Sequence, residues 1–358
     1  MLELRNVAKM VAGDYHIYPT DLAFERGTLN VLLGPTLAGK TSLMRLMAGL
    51  DRPTSGSVFF DGADVTGVRV QERNVAMVYQ QFINYPALTV YENIASPLRI
   101  AGRDSGSIDK AVRQAADLLK LTPYLDRTPL NLSGGQQQRT ALARALVKNA
   151  SLVLMDEPLA NLDYKLREEL REELPKIFAQ SGAVFVYATT EPSEALLLGG
   201  NTATLSEGRV TQFGKTIDVY RKPADLVTAK TFADPPLNFI DVIKSGAFFQ
   251  HQDFDRLPVP PHLLKISDGA MTVAFHPHHL GLSRQTEGAA PLKAVTQISE
   301  ITGSESFVHL DYNGVRWIML AAGIHEIDPD TQIELFLDTR HLMAFGSDGR
   351  AIAVDAVA

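Results

Sequence analysis

The run Gly34-Pro35-Thr36-Leu37-Ala38-Gly39-Lys40-Thr41 spaces two glycines, a lysine and a hydroxyl in the pattern G-x-x-x-x-G-K-[ST]. The apolar run Leu29-Asn30-Val31-Leu32-Leu33 before it predicts a buried strand. Ser42-Leu43-Met44-Arg45-Leu46-Met47 after it predicts a helix. A loop between a strand end and a helix N-terminus aims backbone N–H groups and the positive end of the helix dipole at one spot, which suits a polyphosphate. Gly34 through Ser42 would form its cradle. Lys40 would reach the terminal phosphates, and the Thr41 hydroxyl would ligate Mg²⁺.

Two further stretches carry chemistry. Leu152-Val153-Leu154-Met155-Asp156-Glu157-Pro158 is an apolar strand ending in two carboxylates. Strand C-termini in a parallel α/β sheet border the ligand crevice. Asp156 there would orient Mg²⁺, and Glu157 would polarise an attacking water. Leu132-Ser133-Gly134-Gly135-Gln136-Gln137-Gln138-Arg139 places a good N-cap, Ser133, before a helical run. Two glycines at a helix start let a phosphate approach bare N–H groups.

Elements that must position these residues follow from periodicity. Residues 1 to about 235 alternate short apolar runs with helical patterns, as in an α/β domain with a mostly parallel sheet. Ser151–Met155 and Ala183–Ala188 read as central strands, apolar on both faces. Leu166, Leu170 and Leu174 mark an amphipathic helix whose charges, Glu168, Glu169, Arg171, Glu172 and Glu173, read as a solvated face. Pro175 is expected to kink or end it. Residues 87–150 read as a helical subdomain, with Asp104–Ser107 a helix-joining loop. After Asp234-Pro235-Pro236 the pattern turns to β. Phe307–Tyr312, Asn313-Gly314 and Val315–Leu320 predict a hairpin with a type I′ turn. Gly269–Phe275, Leu292–Ile301 and Gln332–Leu337 add strands, and a small Greek-key barrel fits.

Bulk properties set bounds. A chain of 358 residues, 45% hydrophobic and 21% charged, predicts a folded protein of two domains. A net charge of −7 argues against a nucleic-acid partner. With no cysteine, disulfides and zinc-thiolate sites are excluded. No signal segment and no bilayer-length apolar run is visible, so a cytosolic protein that meets a membrane only through a partner is expected.

On these motifs the chain resembles the nucleotide-binding subunits of ABC transporters. Leu132 to Gln136 is similar to their signature, Gly34 to Thr41 to their phosphate loop, and Asp156-Glu157 to their acidic strand end. Gln80 in Met77-Val78-Tyr79-Gln80-Gln81 is similar to the Q-loop glutamine, and Ala160-Asn161-Leu162-Asp163 to the D-loop. Val219–Ala224 with Pro236–Phe239 resembles the joint of the carbohydrate-importer branch. Phe275-His276-Pro277-His278-His279-Leu280 resembles the "RPEHL" element of its regulatory domain, with His276 where Arg is usual. Three nearby histidines also suit a metal, but this match favours ordinary barrel-loop residues.

The resemblance implies an ABC ATPase domain, 1–235, followed by an all-β, OB-like regulatory domain, 236–358. It implies ATP and Mg²⁺ as cofactors, with Thr41, Gln80 and Asp156 around the metal and Glu157 and Gln80 catalytic. Two such domains meet head to tail, and Leu132 to Gln136 of one chain closes the site of the other. The partners implied are transmembrane permease subunits, a second ATPase subunit and, indirectly, a periplasmic substrate-binding protein. The place implied is the cytoplasmic face of a bacterial inner membrane, held peripherally. Gln80, Phe82, Tyr85 and Pro86 would face the permease; the competing reading puts the aromatic group in the helical-subdomain core.

Departures from the pattern matter as well. Thr190 stands where the family has its switch histidine, and Glu191 where it has aspartate, since Glu194-Ala195 fixes the register. Threonine cannot carry positive charge to the γ-phosphate, a loss on the order of a few kcal/mol in the transition state. Ala38 is a minor change in the loop. The adenine-stacking aromatic falls near Val11, and Tyr15 is the nearest candidate. Two readings result. One is an importer ATPase for a small carbohydrate or polyol, glycerol preferred. The other is a hydrolysis-impaired nucleotide-binding or regulatory subunit paired with an unlike, competent ATPase. A soluble ABC ATPase of translation or repair would carry paired cassettes or long coiled-coil insertions, and an exporter a fused membrane domain.

Overall fold

The computed structural model describes the chain except residues 161, 252–253, 285, 287–288 and 353–358. Asn161, within the stretch similar to the D-loop, thus lies outside the described residues. The described residues form two compact units, Met1–Val219 and Tyr220–Ala358.

In the first unit, β1 (Leu2–Val11), β2 (Asp14–Phe24) and β3 (Leu29–Leu33) lead to α1 (Lys40–Ala48). Next come β4 (Ser55–Phe60), β5 (Ala63–Asp64) and β6 (Val75–Val78). Three helices, α2 (Val90–Ile100), α3 (Ser105–Leu118) and α4 (Gly134–Val147), intervene before β7 (Leu152–Asp156). The unit finishes with α5 (Tyr164–Ser181), β8 (Val184–Thr189), α6 (Pro192–Leu198), β9 (Asn201–Ser206) and β10 (Arg209–Lys215). A six-stranded sheet runs β10-β9-β3-β8-β7-β6. All its neighbours are parallel except β10 on β9. Every residue of β3, β7 and β8 is buried, as expected of strands covered on both faces.

A separate antiparallel sheet, β2-β1-β4-β5, was not legible in the sequence. Register shifts along β1, with Asn6 at φ 48°, break the two-residue alternation that would have revealed it. The helices α2, α3 and α4 lie between β6 and β7. The expected loop at Asp104–Ser107 is instead a helix start. Asp104 accepts from the Ser107 N–H at 2.9 Å, and Ser105–Ser107 form the first turn of α3. Pro175 does not end α5, which continues to Ser181. Leu166, Leu170 and Leu174 are at most 3% exposed, so burial of that face outweighs one lost backbone hydrogen bond.

The helix α7 (Thr216–Arg221) includes the boundary residues Val219 and Tyr220, and in the second unit α8 (Leu226–Thr231) precedes the strands. These are β11 (Asn238–Ser245), β12 (Phe248–His251), β13 (Phe254–Pro258), β14 (Gly269–Phe275), β15 (Leu280–Gly281), β16 (Ala290–Ile301), β17 (Glu305–Tyr312), β18 (Val315–Ala322), β19 (Gln332–Leu337) and β20 (Met343–Phe345). They make two five-stranded sheets, β13-β12-β11-β14-β20 and β15-β19-β16-β17-β18, in an all-β, nearly closed barrel. Phe249, Phe275, Trp317 and Leu335 fill the shared core. Asn313 (φ 52°) and Gly314 (φ 83°) make the predicted turn between β17 and β18. Among the described residues no helix is long and apolar enough to cross a membrane.

Candidate functional site

Parallel pairing puts the ends of β3, β8 and β7 side by side, because Leu33 pairs with Thr189 and Ala188 with Asp156. Each strand end releases one piece of the site: Gly34, Thr190 and Glu157. Beyond β6, beside β7, comes Gln80. This is the carboxyl edge where open α/β sheets bind ligands.

Close packing shapes the phosphate loop. A Cβ at Gly34 would sit 2.3 Å from the Leu205 carbonyl oxygen, so only glycine fits beside β9 there. Gly39 has φ 101°, in the left-handed region, immediately before α1. Leu37 also has positive φ, 68°, and its side chain points outward, 95% exposed. Ala38 is buried. Lys40 is 5% exposed and donates from Nζ to the carbonyls of Gly34 (2.7 Å) and Pro35 (3.0 Å). Its Nζ is 3.7 Å from Glu157 Oε1. Burial lowers the Lys40 pKa, opposed by the charges of Glu157 and Asp156.

Thr41 and Asp156 meet directly. The Thr41 hydroxyl donates to Asp156 Oδ2 at 2.6 Å. Burial raises the Asp156 pKa, while the Thr41 bond and Lys40 pull it back down. Gln80 donates from Nε2 to Glu157 Oε2 at 2.8 Å. Glu157 sits in the left-handed region, φ 48°, which bends its backbone sharply away from β7. Lys40, Thr41, Asp156, Glu157 and Gln80 are therefore one connected set.

This donor set suits a nucleotide polyphosphate with Mg²⁺. A loop of N–H groups and an ammonium offer donors to phosphate. A hydroxyl beside a carboxylate offers hard oxygen ligands, leaving the remaining positions to phosphate and water in the manner of Mg²⁺. Among the described residues no three His, Cys, Asp or Glu side chains are grouped to hold an ion by themselves.

The remaining predicted residues are placed less tightly. Thr190 is exposed and its side chain makes no hydrogen bond among the described residues. The Gly34 N–H donates to the Thr189 carbonyl at 3.3 Å, which brings Thr190 to the loop. Tyr15 is 41% exposed and stacks on Tyr18, ring centroids 4.7 Å apart. Among the described residues no bond joins Tyr15 to the phosphate loop, but the next residue does approach it: the His16 carbonyl lies 3.4 Å from a Cβ built on Gly39. Val11 is exposed at the tip of the same hairpin.

The signature forms a separate exposed surface. Ser133 caps α4 through a capping box: its Oγ accepts from the Gln136 N–H, and its own N–H donates to Gln136 Oε1 at 2.9 Å. Leu132 is buried beneath, while Ser133 and Gly134 are exposed and Gly135 and Gln136 half-buried. Phe82 is half-buried, against Gly134, whereas Tyr85 and Pro86 are exposed. The three histidines of the barrel pack on one another and on His341.

Two features escaped the sequence reading. Gln138, 1% exposed, donates from Nε2 to the Pro158 carbonyl at 2.8 Å, tying α4 to the acidic strand end. The charged face of α5 is not wholly solvated: the Arg171 side chain is 11% exposed and pairs with Glu168, Glu191 and Glu194. Charge spacing alone looks identical on a wet or a covered face, so no signal in the sequence marked these partners.

Comparison with known proteins identifies the family. Residues 18–160 match the ABC transporter family. The sn-glycerol-3-phosphate import ATP-binding protein UgpC of Salmonella typhi is 36% identical over 311 residues, covering 86% of this chain and 87% of that protein. The trehalose/maltose import ATP-binding protein MalK of Thermococcus litoralis is 35% identical over 349 residues, 92% of this chain and 94% of that protein. Among solved structures, the ATP-binding cassette MJ0796, a dimer in a post-hydrolysis state with ADP and Pi, superposes with a TM-score of 0.56 at 29% identity. That match covers 60% of this chain and 99% of the cassette. The chain belongs to the family of ABC transporter ATP-binding subunits, ATPases whose hydrolysis is coupled to transport.

Proposed function

We propose that this chain powers import of a small polyol, polyol phosphate or sugar from the cytoplasmic face of a bacterial inner membrane. Residues 1–235 act as the ATPase and 236–358 as a regulatory barrel. The observation that carries the reading is the connected set of Lys40, Thr41, Asp156, Glu157 and Gln80 at adjoining strand ends. Gly34 to Ser42 hold the phosphates of ATP, and Tyr15 stacks on its base. Thr41, Gln80 and Asp156 hold Mg²⁺. Glu157 polarises the attacking water. Leu132 to Gln136 close the site of a second ATPase subunit, and permease subunits dock near Gln80 and Tyr85. The names of the relatives favour sn-glycerol-3-phosphate or a disaccharide as cargo.

One observation favours a finer version. Thr190 replaces the imidazole expected at the switch position, so we infer an unlike partner ATPase that retains it. This chain's own site is then slow, and its Ser133–Gln136 completes the competent one.

Uptake of labelled sn-glycerol-3-phosphate, glycerol and maltose by cells with and without the chain tests the cargo. Loss of uptake for one of them on deletion is expected; unchanged uptake of all three contradicts the assignment. Glu157→Gln is expected to slow hydrolysis by about 10²-fold or more and to hold ATP in a closed dimer on size exclusion. A monomer under saturating Mg-ATP contradicts the two-chain site.

A further inference from the structure

A ring of polar contacts surrounds Thr190 without including it. From the loop side, the Gly34 N–H donates to the Thr189 carbonyl (3.3 Å), and the Thr189 hydroxyl donates to Glu194 Oε2 (2.6 Å). The buried Tyr187 hydroxyl reaches the same oxygen (3.0 Å). Glu194 Oε1 accepts from Arg171 Nη2 (3.1 Å), which also donates to Glu191 Oε2 (2.8 Å). Glu191 Oε1 accepts from Arg167 Nη1 (3.4 Å), and Arg167 Nη2 donates to the Ala160 carbonyl (3.1 Å). The Ala160 N–H returns to the Glu157 carbonyl (3.4 Å), and the Glu157 N–H donates to the Ala188 carbonyl (3.0 Å).

Both ends of this path are parts of the ATP site: the phosphate loop and the acid that polarises water. Arg171 and Glu194 form a buried pair and the pairs of Glu191 are half-buried; such pairs add little net stability, because desolvation offsets their attraction. Here Nε of both Arg167 and Arg171 is buried without a hydrogen-bond partner among the described residues. Their clearer consequence is geometric. They fix the backbone on either side of Thr190 relative to Glu157, and a displacement near 1 Å at such a site costs up to about 10²-fold in rate.

We propose that Arg167 and Arg171 are positioning residues for ATP hydrolysis, clamping Glu191 to the Ala160 carbonyl and to Glu194 so that the switch segment and Glu157 hold one geometry. This rests on the reading of Thr190 as the switch position. In a chain whose switch side chain makes no bond of its own, the clamp is what keeps the segment in register.

Single-turnover hydrolysis by the full-length chain assembled with its permease subunits tests the clamp. Arg167→Met and Glu191→Gln are each expected to cut the rate at saturating Mg-ATP about tenfold or more, with the Kd for Mg-ATP changed less than about twofold. The double variant should be no slower than the slower single one, because both break one link. Glu191 is half-buried and makes no side-chain cap for α6, so Glu191→Gln keeps the test alive if Arg167→Met folds poorly. Wild-type rates in Glu191→Gln, additive losses in the double variant, or a lowered melting temperature with an unchanged rate would overturn the proposal. A Lys40→Ala control separates the two readings. If Mg-ATP binding survives it, the phosphate-loop assignment fails, whatever the clamp variants do.

Discussion

At the scale of single residues, Thr190 and Glu157 stand at neighbouring strand ends and differ in what surrounds them. Glu157 is gripped by Gln80 and approached by Lys40. Thr190 is exposed and unbonded, with ordered backbone on both sides. A histidine there would add a donor aimed at developing γ-phosphate charge. Thr190→His should therefore speed single-turnover hydrolysis, by up to about 10²-fold; no acceleration would mean that the imidazole is not what limits this site. Most of the site was readable from sequence because its residues are contiguous: the loop, the acidic strand end and the signature each lie in one short run. Gln138 and the arginine clamp were not, since their partners come from separate elements. Arg171 and Glu194 are 23 positions apart, and no local pattern distinguishes them from surface charge.

Among elements, caps and burial decided the outcomes. Thr89 opens α2 with a full capping box, its side chain bonded to the Glu92 N–H and the Glu92 carboxylate returned to the Thr89 N–H at 2.9 Å. Thr89→Ala should lower stability by about 1 kcal/mol, read as a shifted urea midpoint; an unchanged midpoint would show the box to be dispensable. The same reasoning explains Asp104, where a polar cluster read as loop is a cap followed by helix. It also explains Pro175, where three buried leucines carry α5 past a residue that breaks exposed helices. The parallel strands and the Asn313-Gly314 hairpin were legible because continuous apolar runs and obligatory positive φ angles leave few alternatives. The bulged sheet of β1, β2, β4 and β5 hid behind irregular spacing.

For the whole molecule, each unit offers its own reporter. Trp317, the chain's single tryptophan, is buried in the barrel core and stacked on Tyr312 at 4.0 Å. In the same unit, burial chiefly, then His278 and His341, hold His276 and His279 to about 4 and about 3, below the usual 6.5. Tyr220 covers His276, and Asp338 partly opposes the shift at His279. At neutral pH these imidazoles are uncharged in the fold and mostly uncharged in the unfolded chain. As pH falls below 6.5, the unfolded chain gains protons that the fold resists until about pH 4 and then 3, so the barrel loses stability across that window. Trp317 fluorescence in urea should show the midpoint falling there, with a flatter profile in His279→Phe; a pH-independent midpoint would contradict the buried neutral cluster. The first unit is tested most directly by titrating Mg-ATP into the full-length chain and into Lys40→Ala. Saturable one-to-one binding by the native chain, weakened at least about tenfold in the variant, is the predicted result. Absence of binding by the native chain, or equal affinity in the two, would contradict the account.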